Sequence, residues 1–383
     1  MRFPVLLAVG FALVAGGAAL SEYARRHPSA DSKKKKDDKK DDAKKKNEPA
    51  PLPTLEELTS HHNYVPEAPS SDDFTTAGKK VEELAAAAKP LPNIAAAAAL
   101  GGTLNAKGLV RAGDGIALWV EESAPTKDKS RMFALTWLGA TSKVLAPQRS
   151  NVGPIASDGR RIVWAEEGRI LSVGLDAPSV KGVVEFGKAR VVALAVEGDD
   201  VVAMLSPSEL DPFSTDPASA LVRFGADRNL KVLAKDLIRP QDVVVDASRA
   251  YFLAGYPAVL QSAALDGSDH QPLSDRAEPP LALQGDHLVF RRGGDAPGLY
   301  TIGTGGGGEP VRAAAGEIEK LGVEGDRFVF ALGNQVLLHA GGKDEPQFEL
   351  PSSVLELGAG GGQLWVLTRD DAGAMVLLKK PLK

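Results

Sequence analysis

The sequence predicts an all-β fold: a seven-bladed β-propeller preceded by an N-terminal apolar helix, a disordered linker and a short helical segment. Three observations carry this expectation. From about residue 104 the chain becomes a series of short β-branched and aromatic runs separated by Gly, Asp and Pro. These runs recur at intervals of 36–49 residues, a period that belongs to propeller blades of three or four strands. The 40 glycines and 26 prolines of the 383-residue chain supply the turns such a fold needs.

Seven segments align: AGDGIALWV (112–120), SDGRRIVWA (157–165), EGDDVVAML (197–205), DASRAYFLA (246–254), QGDHLVFRR (284–292), EGDRFVFAL (324–332) and GGQLWVLT (361–368). In each, a polar turn rich in Gly and Asp leads into three or four β-branched or aromatic residues. With Leu118, Val163, Val202, Tyr251, Val289, Val329 and Trp365 as equivalents, the spacings are 45, 39, 49, 38, 40 and 36. A second β run follows each, from RMFALTWL to AMVLLKKP, and most units add a third, such as KVLA or PVRA. Hairpin turns take Gly, Asp or Asn because they use positive φ. Asp158 and Gly159 are therefore read as the turn between the first two strands of a blade, and Trp164 as its inner packing. The sialidase Asp-box needs one more residue between its Ser and Asp than SDG provides. The seventh unit ends at Leu382, which leaves little chain for a fourth strand, so ring closure is expected to borrow one from residues 101–111, GGTLNAKGLVR.

With fragments such as GLD at 174–176 and LDG at 265–267, the repeat over roughly 104–383 resembles the TolB-like and related bacterial propeller repeats. The resemblance implies a fold and carries over no activity or site residue. No copy has the Gly-His and Trp-Asp of WD40 repeats. The four Trp (119, 137, 164 and 365) are too few to dock every blade of a quinoprotein propeller.

Ahead of the repeat, residues 3–20 read FPVLLAVGFALVAGGAAL, 18 uncharged and mostly apolar residues. As a helix they span roughly 27 Å, enough to cross a bilayer core. Residues 1–24 are thus expected to be a signal-anchor or a cleaved signal peptide, and the length of the run favours the anchor. Arg25, Arg26 and Lys33 to Lys36 behind it favour a cytoplasmic C-terminal flank. A short N-terminal tail before a large domain is instead the usual start of an exported protein, and the expectation is an extracytoplasmic propeller tethered in the cell envelope. Residues 25–53 include DSKKKKDDKKDDAKKKNEPAPLP, with too little apolar surface to offset ordering entropy, and read as a disordered spacer. Its interleaved aspartates dilute the attraction of the lysines for anionic lipid.

Residues 54–103 read as short helical or irregular. TLEEL and TTAGKKVEELAAAAK are good helix formers, with Ser71 or Asp72 as a cap upstream of the second and Pro90 and Pro92 as its stop. Adjacent His61 and His62 diverge on any regular element, so they read as a polar loop.

Composition excludes several functions. The absence of Cys removes disulfides, thiolate zinc sites, a Cys nucleophile and lipoprotein anchoring. Net charge is −5, with +5 on residues 1–53 and −10 on the remainder, which argues against a nucleic-acid partner. His270, His287 and His339 fall in three units at non-equivalent positions, His270 in a turn, so no shared metal site is expected. GTGGGGEP (303–310) lacks the Lys-Ser/Thr and the helix of a phosphate loop and reads as a hairpin turn, as does GAGGG (358–362). Arg291 and Arg292 read as a solvated turn with some capacity for an acidic group.

The largest insertion, SPSELDPFSTDPAS (206–219), is placed between the first two strands of the third unit. Glu209, Asp211 and Asp216 carry hard oxygens but lack the one-apart spacing of a calcium loop. With Phe213 they form the candidate partner-binding loop, since long loops on a rigid ring are where such scaffolds meet partners.

Asp114, Asp158, Asp199, Asp266, Asp286 and Asp326 all fall in turns spread around the ring, and no G-x-S-x-G occurs. No catalytic, cofactor-binding or metal-binding residue is assigned, and no enzymatic activity is expected. The expected function is a protein- or glycan-binding scaffold held at the membrane through residues 3–20. A ligand-sensing propeller, or an enzyme using the central channel, is the alternative.

Overall fold

The computed structural model describes residues 51–75, 77, 98–122, 131–226, 229–371 and 373–382. The apolar segment 3–20 and the linker up to residue 50 lie outside the described residues. Among the described residues no helix is long and apolar enough to cross a membrane. The chain divides into two units, Met1–Pro51 and Leu52–Lys383, and the second is described here.

Seven antiparallel sheets make seven blades. Blade 1 holds β3 (Ala106–Ala112), β4 (Gly115–Glu121), β5 (Phe133–Leu138) and β6 (Ser142–Arg149). Blade 2 holds β7 (Val152–Ser157), β8 (Arg161–Glu166), β9 (Arg169–Gly174) and β10 (Lys181–Phe186), with β1 (His61–His62) on its outer edge. Blade 3 is β11 (Ala189–Glu197), β12 (Asp200–Pro207), β13 (Ser219–Phe224) and β14 (Leu230–Leu237). Blade 4 is β15 (Asp242–Val245), β16 (Arg249–Gly255), β17 (Ala258–Ala264) and β18 (His270–Ser274). Blade 5 is β19 (Glu278–Gln284), β20 (His287–Arg292), β21 (Gly298–Gly303) and β22 (Val311–Ala315). Blade 6 is β23 (Ile318–Glu324), β24 (Arg327–Leu332), β25 (Gln335–Ala340) and β26 (Lys343–Glu349). Blade 7 holds β27 (Glu356–Gly360), β28 (Gln363–Arg369) and β29 (Met375–Pro381), and its fourth strand is β2 (Ala98–Leu104).

The ring thus closes by strand exchange, with Ala98 opposite Lys379 and Leu100 opposite Leu377. The borrowed strand is 98–104 and not 101–111, because Ala106–Ala112 is needed as the innermost strand of blade 1. Residues 98–104 therefore belong to the ring and not to the helical or irregular segment. The unpaired edge of β29 captures them.

The recurrent turns work as the residue types suggest. Asp158 Oδ1 accepts from the amides of Arg160 and Arg161 at 2.8 and 2.9 Å, Ser157 Oγ accepts from Gly159 N at 3.0 Å, and Gly159 sits at φ 85°. Asp246 does the same for Ser248 and Arg249 at 2.7 Å each, and also accepts from the Tyr251 hydroxyl at 2.7 Å. Burial works against the Asp246 charge, yet these hydrogen bonds outweigh it and hold the carboxyl below its usual range. Burial, together with the bond to Asp246, pushes the Tyr251 phenol up to about 12.

The second strand of each blade carries the core. Trp119 of β4 and Trp164 of β8 are fully buried and meet edge to face at 5.7 Å, sealing blade 1 on blade 2. GAGGG is not a simple turn. Gly358 lies in β27, where a Cβ would come 2.2 Å from Leu109 Cδ2, so glycine there permits blade 7 to pack on blade 1. GTGGGGEP does connect β21 to β22 as a hairpin loop. His270 opens strand β18, opposite Ala263, and is not in a turn.

An N-terminal strap crosses the outside of three blades. Helix α1 (Leu55–Thr59) is capped by Thr54 in a capping box with Glu57, and its Leu58 is buried among Phe186, Phe224 and their neighbours from blades 2 and 3. His61 and His62 then form β1 on β10, so the polar-loop expectation fails. His61 lies opposite Phe186, with its ring 5.5 Å from Phe224, and His62 lies opposite Glu185. The free edge of β10 supplies the backbone partners that the two histidines lack by themselves. Further on, Ser70 and Asp73 exchange a reciprocal cap, one residue earlier than the expected Ser71. Phe74 and Ala77 pack on Ala134 and Val144 of blade 1.

Candidate partner-binding groove

Antiparallel order fixes two faces of the ring. The connection between second and third strands and the link from one blade to the next lie on one face. The turns between first and second and between third and fourth strands lie on the other. Asp114, Asp158, Asp199, Asp266, Asp286 and Asp326 all sit on this second face, dispersed from blade to blade.

The first face carries a groove of about 910 Å³ over blades 3, 4 and 5. Pro212 and Phe213 come from the 206–219 insertion, which joins the second and third strands of blade 3. This differs from the expected place between the first two, because the innermost strand β11 precedes the turn that opens the sequence unit. Arg239 and Arg276 come from the links into blades 4 and 5, and Tyr256, Arg291, Arg292 and Tyr300 from blades 4 and 5 themselves.

The four arginines fall into two kinds. Arg291 bonds Glu278 at 2.6 Å, and Arg292 bonds Ser274 Oγ at 2.7 Å and lies 3.3 Å from Asp275 while covering the Tyr300 ring at 5.2 Å. These two end strand β20 and are not a solvated turn. Arg239 and Arg276 differ: among the described residues neither pairs with a carboxylate. The Arg239 guanidinium lies 4.5 Å from the Tyr256 ring centroid and 5.5 Å from that of Phe213. Both rings are largely exposed, at 73% and 74%. Stacking fixes the plane of the guanidinium and leaves its donor edges free.

The backbone at these two arginines is left-handed, as it also is at Gln148, Asn151, Glu167 and Asp236. Arg239 and Arg276 sit at φ 46° and 51° in the links into blades 4 and 5, and Asn151 at φ 51° holds the same conformation in the link into blade 2. A side chain in the left-handed region costs roughly 1–2 kcal/mol, so arginine is present there at the expense of local stability. Sequence reasoning missed Arg239, Arg276 and Tyr256. The two arginines had one signal, an arginine just before an innermost strand, which is legible once the blades are aligned on their links, and Tyr256, between the second and third strands of blade 4, had none.

The expected loop residues disperse. Phe213 reaches the groove. Asp211 accepts from the Phe213 amide at 2.8 Å and Asp216 from the Ser214 hydroxyl at 2.7 Å, so both shape the loop. Asp216 lies beside Leu52–Leu55 at the outer rim, and Glu209 is exposed. Arg190 ties the loop down through the Leu210 carbonyl at 2.9 Å.

The central channel, about 680 Å³, is lined by the innermost strands of all seven blades, mostly by Val, Leu, Ala and Gly. Three acids, Glu197, Asp242 and Glu356, are also among its lining residues, and Asp242 is bound by backbone amides. It accepts from the Val243 and Leu281 amides at 2.9 Å each, and burial still pushes its carboxyl up to about 6. Among the described residues no cluster of three metal-ligating side chains occurs. His62, Glu185 and Arg169 do meet, at 3.0 and 2.9 Å, but on the outer edge of blade 2 and away from groove and channel.

The chain is therefore a β-propeller of seven blades with a cationic, aromatic groove on one face. No protein-family model and no curated protein matches it. Solved structures share the fold. The β-propeller domain of the trilobed protease from Pyrococcus furiosus is 10% identical, with 73% of this chain and 96% of that one covered and a TM-score of 0.55. The acylaminoacyl peptidase of Pyrococcus horikoshii is 11% identical, over 73% of this chain and 52% of its own, with a TM-score of 0.55. A prolyl endopeptidase is 13% identical, over 82% and 53%, also at 0.55. The chain spans about half the length of these two peptidases. The Pyrococcus furiosus domain has an open velcro topology, whereas here β2 pairs with β29.

Proposed function

We propose that the protein is a binding propeller of the cell envelope, tethered through residues 3–20, that holds a partner in the groove over blades 3–5 and has no catalytic activity of its own. One observation carries the binding reading: Arg239 lies against two exposed aromatic rings, Tyr256 and Phe213, without an acidic partner among the described residues. The tether rests on the 18-residue apolar run. The non-enzymatic reading is supported by how the groove's charges meet, as the pairs Arg291–Glu278 and Arg292–Asp275, and by turn aspartates dispersed over the opposite face. Catalysis needs convergent groups.

The test is crosslinking in native membranes with the full-length protein, its R239A/R276A variant and an R160A control on the other face. Species lost in R239A/R276A and kept in R160A support the groove. An unchanged pattern overturns it. Fractionation tests the tether: recovery of the intact chain, Met1 included, in the soluble fraction counts against it.

A further inference from the structure

Resting on the groove reading, we propose that the occupant is an extended acidic peptide segment whose carboxylates are taken by Arg239 and Arg276. The two arginines come from successive links and so lie one blade apart on the same face, both at positive φ and both without an acidic partner among the described residues. They offer two forked donor sets to two anionic groups on one ligand. Guanidinium forks match carboxylates in bidentate geometry.

Three features favour a peptide over a sugar. Sugar hydroxyls need many Asn, Gln, Asp and Glu partners, and the groove offers Gln241, the exposed Asp295 at its rim and Glu278, which is already committed to Arg291. The exposed faces that would stack on a sugar ring are shared with the Arg239 guanidinium at Phe213 and Tyr256. The walls are rich in proline, with Pro212, Pro240, Pro257 and Pro279, which gives a preformed apolar trough for a main chain and the side chains between two acids. At about 910 Å³ it holds several residues. The turn aspartates on the opposite face repel the same ligand, so binding has one side.

The experiment measures fluorescence anisotropy of fluorescein-labelled hexaglutamate with the full-length protein in detergent, against hexaglutamine, hexagalacturonate and inorganic phosphate. The expected result is hexaglutamate binding that weakens with salt, falls at least about tenfold in R239A and in R276A, is partly kept in R239K, and is unchanged in R160A. Hexaglutamine and phosphate bind far more weakly. If hexagalacturonate binds as tightly as hexaglutamate with the same arginine dependence, the peptide assignment is overturned while the groove stands. If no probe shows arginine dependence, the assignment is overturned, and the crosslinking comparison of R239A/R276A with wild type decides the groove separately.

Discussion

The Leu281 amide, in the innermost strand of blade 5, donates to the Asp242 carboxylate, in the innermost strand of blade 4, at 2.9 Å. A second amide, Val243, holds the other oxygen at 2.9 Å. Asp242 is therefore a stitch between two blades at the channel wall, made with a charge that burial disfavours.

That stitch has a pH dependence of definite sign. The Asp242 carboxyl is raised from 3.8 to about 6 in the folded protein, chiefly by burial. Between those values the folded state binds the extra proton, so stability falls as pH rises through this window. Urea midpoints at pH 4.5 and 7 should show D242N losing part of the wild-type decrease. A wild-type-minus-variant difference that is flat with pH rules the account out.

The strap leaves a second, local prediction. Gly182 of β10 lies under the Tyr64 carbonyl, where a Cβ would approach to 1.7 Å. G182A cannot keep both β10 and the strap in place. It should cost about 1–3 kcal/mol and speed proteolysis between residues 60 and 75, while G187A, where a Cβ meets nothing, changes neither. Equal protection in the two variants would show that the strap is not seated as described.

Much of the ring was legible because its determinants are local. The Asp158 and Asp246 turns satisfy amides within three residues, and the apolar second strands follow them directly, so spacing alone sets seven blades. The strap and the groove were not legible. His61 and His62 become a strand only because β10 has a free edge, and Arg239 meets Tyr256 across a blade that no sequence period describes. Phe213 was singled out by loop length alone; its companions Glu209 and Asp216 were too, and they lie elsewhere.

Blades 1 and 2 are joined by a buried ion pair. Glu166 accepts from Arg149 Nε at 2.6 Å, from a second Arg149 nitrogen, and from Trp164 Nε1 at 2.7 Å, with side-chain exposures of 15% for Arg149 and 8% for Glu166. Removing one partner strands the other charge. E166A should lower stability by about 3–5 kcal/mol, and E166Q, which keeps an acceptor, by less. Thermal melts check this; E166A within about 0.5 kcal/mol of wild type would refute it.

The last prediction concerns closure of the ring. Strand β2 covers the outer edge of β29 along Ala98 to Leu104, and among the described residues nothing else pairs with that edge. A truncation starting at residue 97 removes the strap and keeps β2, whereas one starting at residue 105 removes both. Comparing the two isolates the closing strand. The shorter chain should melt about 5–10 °C lower and should self-associate with rising concentration, because β29 then presents a row of unpaired amides and carbonyls to a second copy. Light scattering against concentration reads the association, and calorimetry reads the melt. If both truncations melt together and remain monomeric, then β2 is not what closes the propeller, and blade 7 is held by its packing on blades 6 and 1 alone.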